Sequence, residues 1–307
     1  MWAAETLQEN SAMNEFKGYH PIVNFAYFAL VIGFSMFFMH PVCLCISLCA
    51  AFTYSVMLKG ASAIKSNLLY MLPMMLVTAI VNPAFNHEGV TVLEYLPSGN
   101  PLTLESILYG ISAAIMLVSV ICHFSCYNAV MTSDKFVYLF GRVIPSFSLI
   151  LSMTLRFVPR FYEHLKQVAN AQRTIGKDVS SGSIFRRAKN ALSVLSVTVT
   201  WALENAIETS DSMKSRGYGG KGRTAFSNFV FTKRDAFALV YSLALGVYVF
   251  IGGICGGLSF RYFPSVKFEA NLLFTCSLLV AYFLLCIMPI IIEIWEVIKW
   301  KLIESKI

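Results

Sequence analysis

Residues 145–220 read PSFSLILSMTLRFVPRFYEHLKQVANAQRTIGKDVSSGSIFRRAKNALSVLSVTVTWALENAIETSDSMKSRGYGG. The stretch is polar, basic and helical in its periodicity, yet apolar runs long enough to cross a bilayer lie on both sides of it. It divides into two long amphipathic helices, broken near Lys177-Asp178-Val179-Ser180-Ser181-Gly182. In the second, Ser183 is placed as the N-cap, and Phe185, Ala188, Leu192, Leu195, Val199, Ala202, Ala206 and Met213 recur at helical steps to mark one apolar face. From Ile184 to Arg216 this helix would be about 50 Å long. Glu204, Glu208 and Asp211 form an acidic stripe away from that face. Arg186 and Arg187 stand in the first turn, where the helix dipole disfavours cations, so a lipid phosphate or a carboxylate is expected beside them.

The end of this helix carries Ser215-Arg216-Gly217. Glycine suits a left-handed C-terminal cap, and Arg216 lies beside the last free carbonyls, where a cation is favoured. A guanidinium on a rigid helix end fits a carboxylate-lined groove, which it can bind in a bidentate way. The plainer alternative is a helix stop with a surface arginine. The first helix, roughly 146–176, has a similar plan: Ile150, Met153, Phe157, Phe161, Leu165, Val168 and Ala171 follow helical steps, and Arg156, Arg160, Lys166 and Arg173 make it basic. Pro159 should kink it or mark a junction, and Gly176 is a second candidate cap. A crossed pair held by apolar contact is expected, with Glu204 or Glu208 near Lys166 or Arg173.

Outward from this stretch the chain is apolar. Of its 307 residues 57% are hydrophobic and 13% charged, where a soluble domain carries about 25% charged residues. The expectation is an all-α polytopic membrane protein. Six spans are read, at 22–39, 41–58, 66–84, 104–127, about 236–258 and 270–297. His40-Pro41 separates the first two. Asn82-Pro83 closes the third, where a helix break would leave backbone groups for Asn82 and Asn86 to bond. A loop without Lys or Arg covers 85–103, and Thr103 caps the fourth span with Glu105 in its first turn. The division is a cytoplasmic N-terminal segment, 1–21; four spans, 22–130; a cytoplasmic coupling-helix region, 131–225; and two spans with a basic tail, 226–307. Basic residues set the orientation: with both termini inside, only Arg261 and Lys267 fall outside.

The formal charge is +7, and sixteen of the 24 Lys and Arg lie between Lys135 and Arg234. Anionic lipid headgroups or an acidic protein partner explain that block better than nucleic acid. The first twenty residues hold Glu5, Glu9 and Glu15 and no apolar signal core. The eight cysteines, all in apolar runs, form no metal or disulfide framework and read as small buried apolar residues. Cys122, His123 and Cys126 offer three ligands without a fourth, and packing is the plainer reading. His87-Glu88 begins a zinc-protease pattern, but Thr91 stands where the second histidine belongs. Gly252, Gly253, Gly256 and Gly257 give two overlapping GxxxG spacings, for packing within the chain or for a dimer contact. No phosphate-binding GxxxxGK[ST] loop occurs, so ATP hydrolysis is not expected of this chain.

Leu155-Arg156-Phe157-Val158-Pro159, then Ala171-Gln172, then Ser212-Met213-Lys214-Ser215-Arg216-Gly217-Tyr218 together resemble the transmembrane T component of energy-coupling factor transporters, ABC-type importers of vitamins and transition-metal ions. The family also shows a segment like Asn82-Pro83-Ala84-Phe85-Asn86-His87-Glu88-Gly89, followed by a Thr-x-Glu like Thr103-Leu104-Glu105. The likeness runs from about residue 20 to 225. It implies a non-catalytic scaffold of the cell membrane that needs no cofactor of its own, because ATP is bound by partner subunits. Each of two crossed coupling helices would end in an Ala-Arg-Gly-like motif whose arginine docks on one of two ABC ATPase subunits. A small membrane-embedded substrate-binding S component would sit on the helices.

Ser215, Arg216 and Gly217 match the second motif. The first departs from it, with Thr174-Ile175-Gly176 in place of Ala-Arg-Gly. Either Arg173 or Lys177 supplies the charge, or one ATPase contact is more apolar. Two spans after the coupling helices, where one is common in the family, are a further departure. The alternatives from other classes are a self-contained permease and an intramembrane enzyme. A permease needs ionisable groups near span midpoints, and Glu293 and Glu296 lie near the cytoplasmic end of theirs. An intramembrane enzyme needs a nucleophile–base pair or a metal set, and none stands out.

Overall fold

The computed structural model describes residues 15–95, 101–141, 145–218, 229–268 and 271–304. They form helices α1 Glu15–Gly18, α2 Pro21–Phe37, α3 Pro41–Lys59, α4 Ala61–Phe85, α5 Leu104–Val130, α6 Ser133–Gly141, α7 Pro145–Thr174, α8 Ile184–Ser215, α9 Lys233–Ile254 and α10 Leu272–Glu304. Two small antiparallel ribbons, β1 Val92–Tyr95 with β2 Pro101–Thr103 and β3 Phe260–Arg261 with β4 Lys267–Phe268, interrupt the helical order. Among the described residues five helices are long and apolar enough to cross a membrane: α3, the part of α4 from Ala63, α5, α9 and α10. Helix α2 is apolar but has 17 residues, about 26 Å of helix. The chain is an all-α polytopic membrane protein. It divides into two compact units, one of Met1–Thr132 with Phe229–Ile307 and one of Ser133–Asn228.

In the first unit, chain chemistry sets the helix starts. Pro21 and Pro41 open α2 and α3 at a position where a missing N–H costs nothing. Thr103 caps α5, its hydroxyl accepting from the Ser106 N–H at 3.3 Å. Thr232 and Asp235 make a reciprocal capping box on α9. The core gathers Phe16, Tyr27, Phe28, Tyr54, Leu278, Tyr282 and Leu285. Inside it Ser47 bonds Ser35 at 2.6 Å, Ser119 at 2.7 Å and His123 Nε2 at 3.1 Å, and Tyr282 reaches Ser35 at 3.1 Å. Such bonds contribute about 0.6 kcal/mol each between membrane helices. His123 is thus engaged by Ser47, and Cys126 Sγ points to the Ala51 carbonyl at 3.7 Å. Among the described residues no three His, Cys, Asp or Glu side chains stand close enough to share a metal. Four of the eight cysteines, Cys45, Cys49, Cys255 and Cys276, are exposed on the outside of the helices rather than buried.

Several boundaries move. Helix α4 runs through Pro83 and stops at Asn86, whose N–H donates to the Asn82 carbonyl at 2.8 Å. The Asn82 Oδ1 has no hydrogen-bond partner among the described residues, so its contribution is packing. A Cβ on Gly110 would lie 2.8 Å from the Ala79 carbonyl and 3.2 Å from Asn82 Cβ, so glycine there lets α5 approach α4. Helix α9 stops at Ile254, and Gly256 turns back at φ +83, so the overlapping GxxxG does not lie on one helix. Its glycines make room inside the chain: a Cβ on Gly252 or Gly257 would strike Leu278 and one on Gly253 would strike Phe38. The region expected as a plain loop, 85–103, carries β1 and β2. There the Glu105 carboxylate accepts from the Thr91 N–H at 3.2 Å and its hydroxyl at 2.9 Å, while Ser106 donates to the Asn86 carbonyl. The two family-like segments at 82–89 and 103–105 therefore meet in one hydrogen-bonded cap.

Glu293, fully buried in α10, anchors the N-terminal segment. Its carboxylate accepts the N–H of Glu15 at 3.0 Å and of Phe16 at 3.1 Å. Asp235 likewise accepts the His20 N–H at 3.0 Å, and Arg234 pairs with Glu15 at 3.4 Å. Glu293→Ala leaves the buried Phe16 N–H and the part-buried Glu15 N–H without an acceptor and is expected to cost about 2–4 kcal/mol. Glu293→Gln, which keeps one acceptor oxygen, should cost less. Thermal unfolding of the detergent-solubilised protein measures both.

Candidate functional site

The second unit holds α6, α7 and α8. Helix α7 spans 30 residues and runs unbroken through Pro159, which is exposed, so Pro159 marks no junction between helices. Helix α8 has 32 residues. Ser183 occupies its N-cap position without a side-chain cap bond, and Arg187 Nε donates to the Val179 carbonyl at 3.1 Å. That carbonyl holds one of the first-turn arginines.

The half-buried row on α7 is Met153, Phe157, Phe161, His164, Val168 and Gln172, close to the face the sequence marks. On α8 the buried positions are Asn190, Val194 and Thr198, continued by half-buried Trp201. This row is rotated from the apolar stripe. Phe185 is 89% exposed and Leu192 66%, so the described residues of this unit leave those positions of the stripe uncovered.

Trp201 carries the crossing. Its ring stacks on His164 with centroids 3.9 Å apart and planes 6° apart, takes Phe161 edge-on at 5.6 Å, and has the Arg160 guanidinium 5.7 Å from its centroid. Among the described residues no ion pair joins Glu204 or Glu208, both exposed, to Lys166 or Arg173. Aromatic stacking replaces the expected charge contact. Nothing in the apolar periodicity singles out Trp201; its large flat ring in a helix of Ser, Thr and Val is the signal that could have. Arg156 is exposed beside the seam, and Asp211 pairs with Lys214 at 3.9 Å.

Both helices end alike. At α7 the Gly176 N–H donates to the Arg173 carbonyl at 3.1 Å and Lys177 N–H to Gln172 at 2.9 Å; at α8 Gly217 donates to Lys214 at 3.0 Å and Tyr218 to Met213 at 3.0 Å. These are two Schellman caps, with Gly176 at φ +77 and Gly217 at φ +73. A Cβ on either glycine would meet nothing within 4 Å, so the backbone angle alone demands glycine. The residue before each glycine, Ile175 or Arg216, is exposed at the tip. The hydroxyls one place earlier also match: Thr174 donates to the Ala171 carbonyl at 2.7 Å and Ser215 to Ser212 at 2.9 Å.

A family model described as cobalt transport protein, CbiQ, matches residues 19–226. The chain belongs to this family. Both capped ends and both segments of the Thr103–Glu105 cap lie within the matched residues. Among similar proteins, the energy-coupling factor transporter transmembrane protein EcfT of Lactobacillus helveticus is 36% identical over 103 residues, 33% of this chain and 37% of that protein. The proteins of the same description from Acidaminococcus fermentans and Brevibacillus brevis are 33% identical over 157 residues and 34% over 110. These cover 48% and 36% of this chain, and 59% and 42% of those relatives. The matched stretches thus fall short of two thirds of each relative's length. As a CbiQ family member this chain has two helices, α9 and α10, after the matched region.

The turn between α7 and α8 is built on Asp178. It accepts the Ser180 N–H at 2.9 Å and hydroxyl at 2.8 Å, and Arg173 stands 3.7 Å away. The Asn190 side chain donates to the Asp178 carbonyl at 2.9 Å. The Ser180 N–H, then its hydroxyl and then the Arg173 charge hold the Asp178 carboxyl below its ordinary value. A lowered folded-state value stabilises the turn above the unfolded value of about 3.9 and loses that contribution as pH falls through the folded value. Amide exchange at Ser180 should therefore quicken below about pH 4, and Asp178→Asn should remove that dependence. Trp201→Ala is expected to loosen the crossing by about 2 kcal/mol, and Trp201→Phe by less. Distances between spin labels on α7 and α8 should broaden in that order.

Proposed function

We propose that this chain is the coupling membrane subunit of an ATP-driven importer in the cell membrane. Two ABC ATPase subunits dock on the ends of α7 and α8, and a small membrane-embedded S component supplies the substrate site for a vitamin or a transition-metal ion. The chain itself neither binds ATP nor catalyses. The observation that carries this reading is the pair of long helices, each closed by the same glycine cap with its tip residue exposed. A helix locked at its end is stiff along its axis, and a protruding tip residue delivers displacement to whatever holds it.

The uncovered stripe of α8, with Phe185, Leu192, Leu195 and Val199 exposed, suits the S component. An apolar face left bare among the described residues of its unit suits an apolar partner. The distribution of basic residues supports a cytoplasmic side for both termini and for 131–225, where ATP is available. The permease reading finds no comparable support. The carboxylates of the first unit that a substrate path would need, Glu105, Asp235 and Glu293, all accept hydrogen bonds from neighbouring backbone N–H groups. They serve the scaffold.

Co-purification in mild detergent tests this reading: two ATPase subunits and a small hydrophobic protein should accompany the chain. Arg216→Glu reverses the charge at an exposed tip and is expected to weaken ATPase attachment about a hundredfold, the loss seen when one partner of a docked charge pair is removed. Membrane insertion should be unchanged. A variant complex that assembles and transports normally would remove the docking role.

A further inference from the structure

The two helix ends can be compared position by position. Arg173 corresponds to Lys214, Thr174 to Ser215, Ile175 to Arg216, Gly176 to Gly217 and Lys177 to Tyr218, with the same capping hydrogen bonds at both ends. The tips differ in kind. Arg216 presents a permanent cation, while Ile175 presents a branched aliphatic side chain that is 65% exposed.

Neither neighbouring cation stands in for the missing arginine. A basic residue two places before the tip occurs at both ends, as Arg173 and as Lys214, so it is common to both and replaces nothing. Two residues along a helix are also about 200° around its axis, which turns Arg173 away from the tip, and Asp178 lies 3.7 Å from it. Lys177 follows the left-handed glycine, where the chain has already reversed, and its N–H is tied to Gln172. The turn that displays Ile175 is itself held by Asn190 and Arg187 bonding the carbonyls of Asp178 and Val179. An exposed aliphatic side chain on a fixed support gains by entering an apolar groove. Against a carboxylate-lined groove it would strip water from the acids and offer nothing in return.

We propose that the α7 end docks through apolar contact. Ile175 enters a groove lined by aliphatic or aromatic side chains, on an ATPase polypeptide different from the acid-lined one that receives Arg216. This rests on the docking role given to the two ends above and adds what each end recognises. The two attachments are then not interchangeable, which fixes the orientation of the motor pair on the scaffold.

The test uses the full-length chain co-expressed with the ATPases that purify with it, carrying a photo-crosslinking benzoylphenylalanine in place of Lys177 or of Tyr218. The two positions should capture different ATPase polypeptides. Ile175→Asp should lower capture at 177 about tenfold or more, the loss expected when a buried aliphatic anchor is removed, and leave capture at 218 intact. Ile175→Val should leave both intact. Raising salt to about 1 M, where charge attraction is screened within about 3 Å, should weaken capture at 218 and spare 177. Ile175→Arg that keeps or raises capture at 177 overturns the inference, as does one polypeptide captured equally at both positions. If Arg216→Glu abolishes capture at 218 while Ile175→Asp changes nothing, the docking reading stands and the apolar end does not. A wild-type chain that purifies without any ATPase sinks the docking reading itself.

Discussion

A backbone N–H that leaves a helix beside lipid has no water to turn to, and this chain meets that need with carboxylates. Glu293 takes the N–H groups of Glu15 and Phe16. Asp235 takes His20 and closes the box that starts α9. Glu105 takes Thr91. Each acid ties together separate segments, so the order of the first unit depends on three carboxylates that accept the chain's own N–H groups. An acid in an apolar span invites a reading as an ion pathway. Here the donors that surround these groups already account for them.

The second unit solves a different problem. Its helices end in solvent, where bare carbonyls could simply hydrate, yet both ends close with the full pair of Schellman bonds at a left-handed glycine. Closing the last turn against fraying is what a helix needs if its tip is to transmit position. The crossing is built in the same spirit. Trp201 lies flat on His164 and edge-on to Phe161, and flat rings resist sliding in a way that a row of Val and Ala would not. The seam can thus be firm while the apolar stripe of α8 stays open for another molecule.

The sequence made the helices, the glycine caps and the six apolar stretches legible, because each rests on local rules of period and backbone angle. It did not show the carboxylate anchors, since Glu293 and Glu15 are 278 residues apart and no local pattern links them. It placed the end of α4 within one residue, at 84 against Phe85, but began the helix too late, at 66 against Ala61. Proline removes one bond from a helix, and the turn around it can continue until Asn86. It also read the glycine run near 252–257 as one helical spacing, when Gly256 reverses the chain.

The rotated seam of α8 is the most instructive departure. Counting apolar residues finds the face that most avoids water, and the usual inference is that this face meets the nearest helix of the same chain. That inference holds for a protein that buries its own core. It fails for a subunit, because the apolar stripe then answers to the most apolar neighbour available, which need not be encoded in the same sequence. The aromatic contact with α7 falls to Trp201, and the buried positions before it are Asn190, Val194 and Thr198, a row that carries little hydrophobic signal. A mismatch between the predicted apolar face and the face buried within its own unit is what the proposed S component would explain, and on α8 it is widest at Phe185 and Leu192.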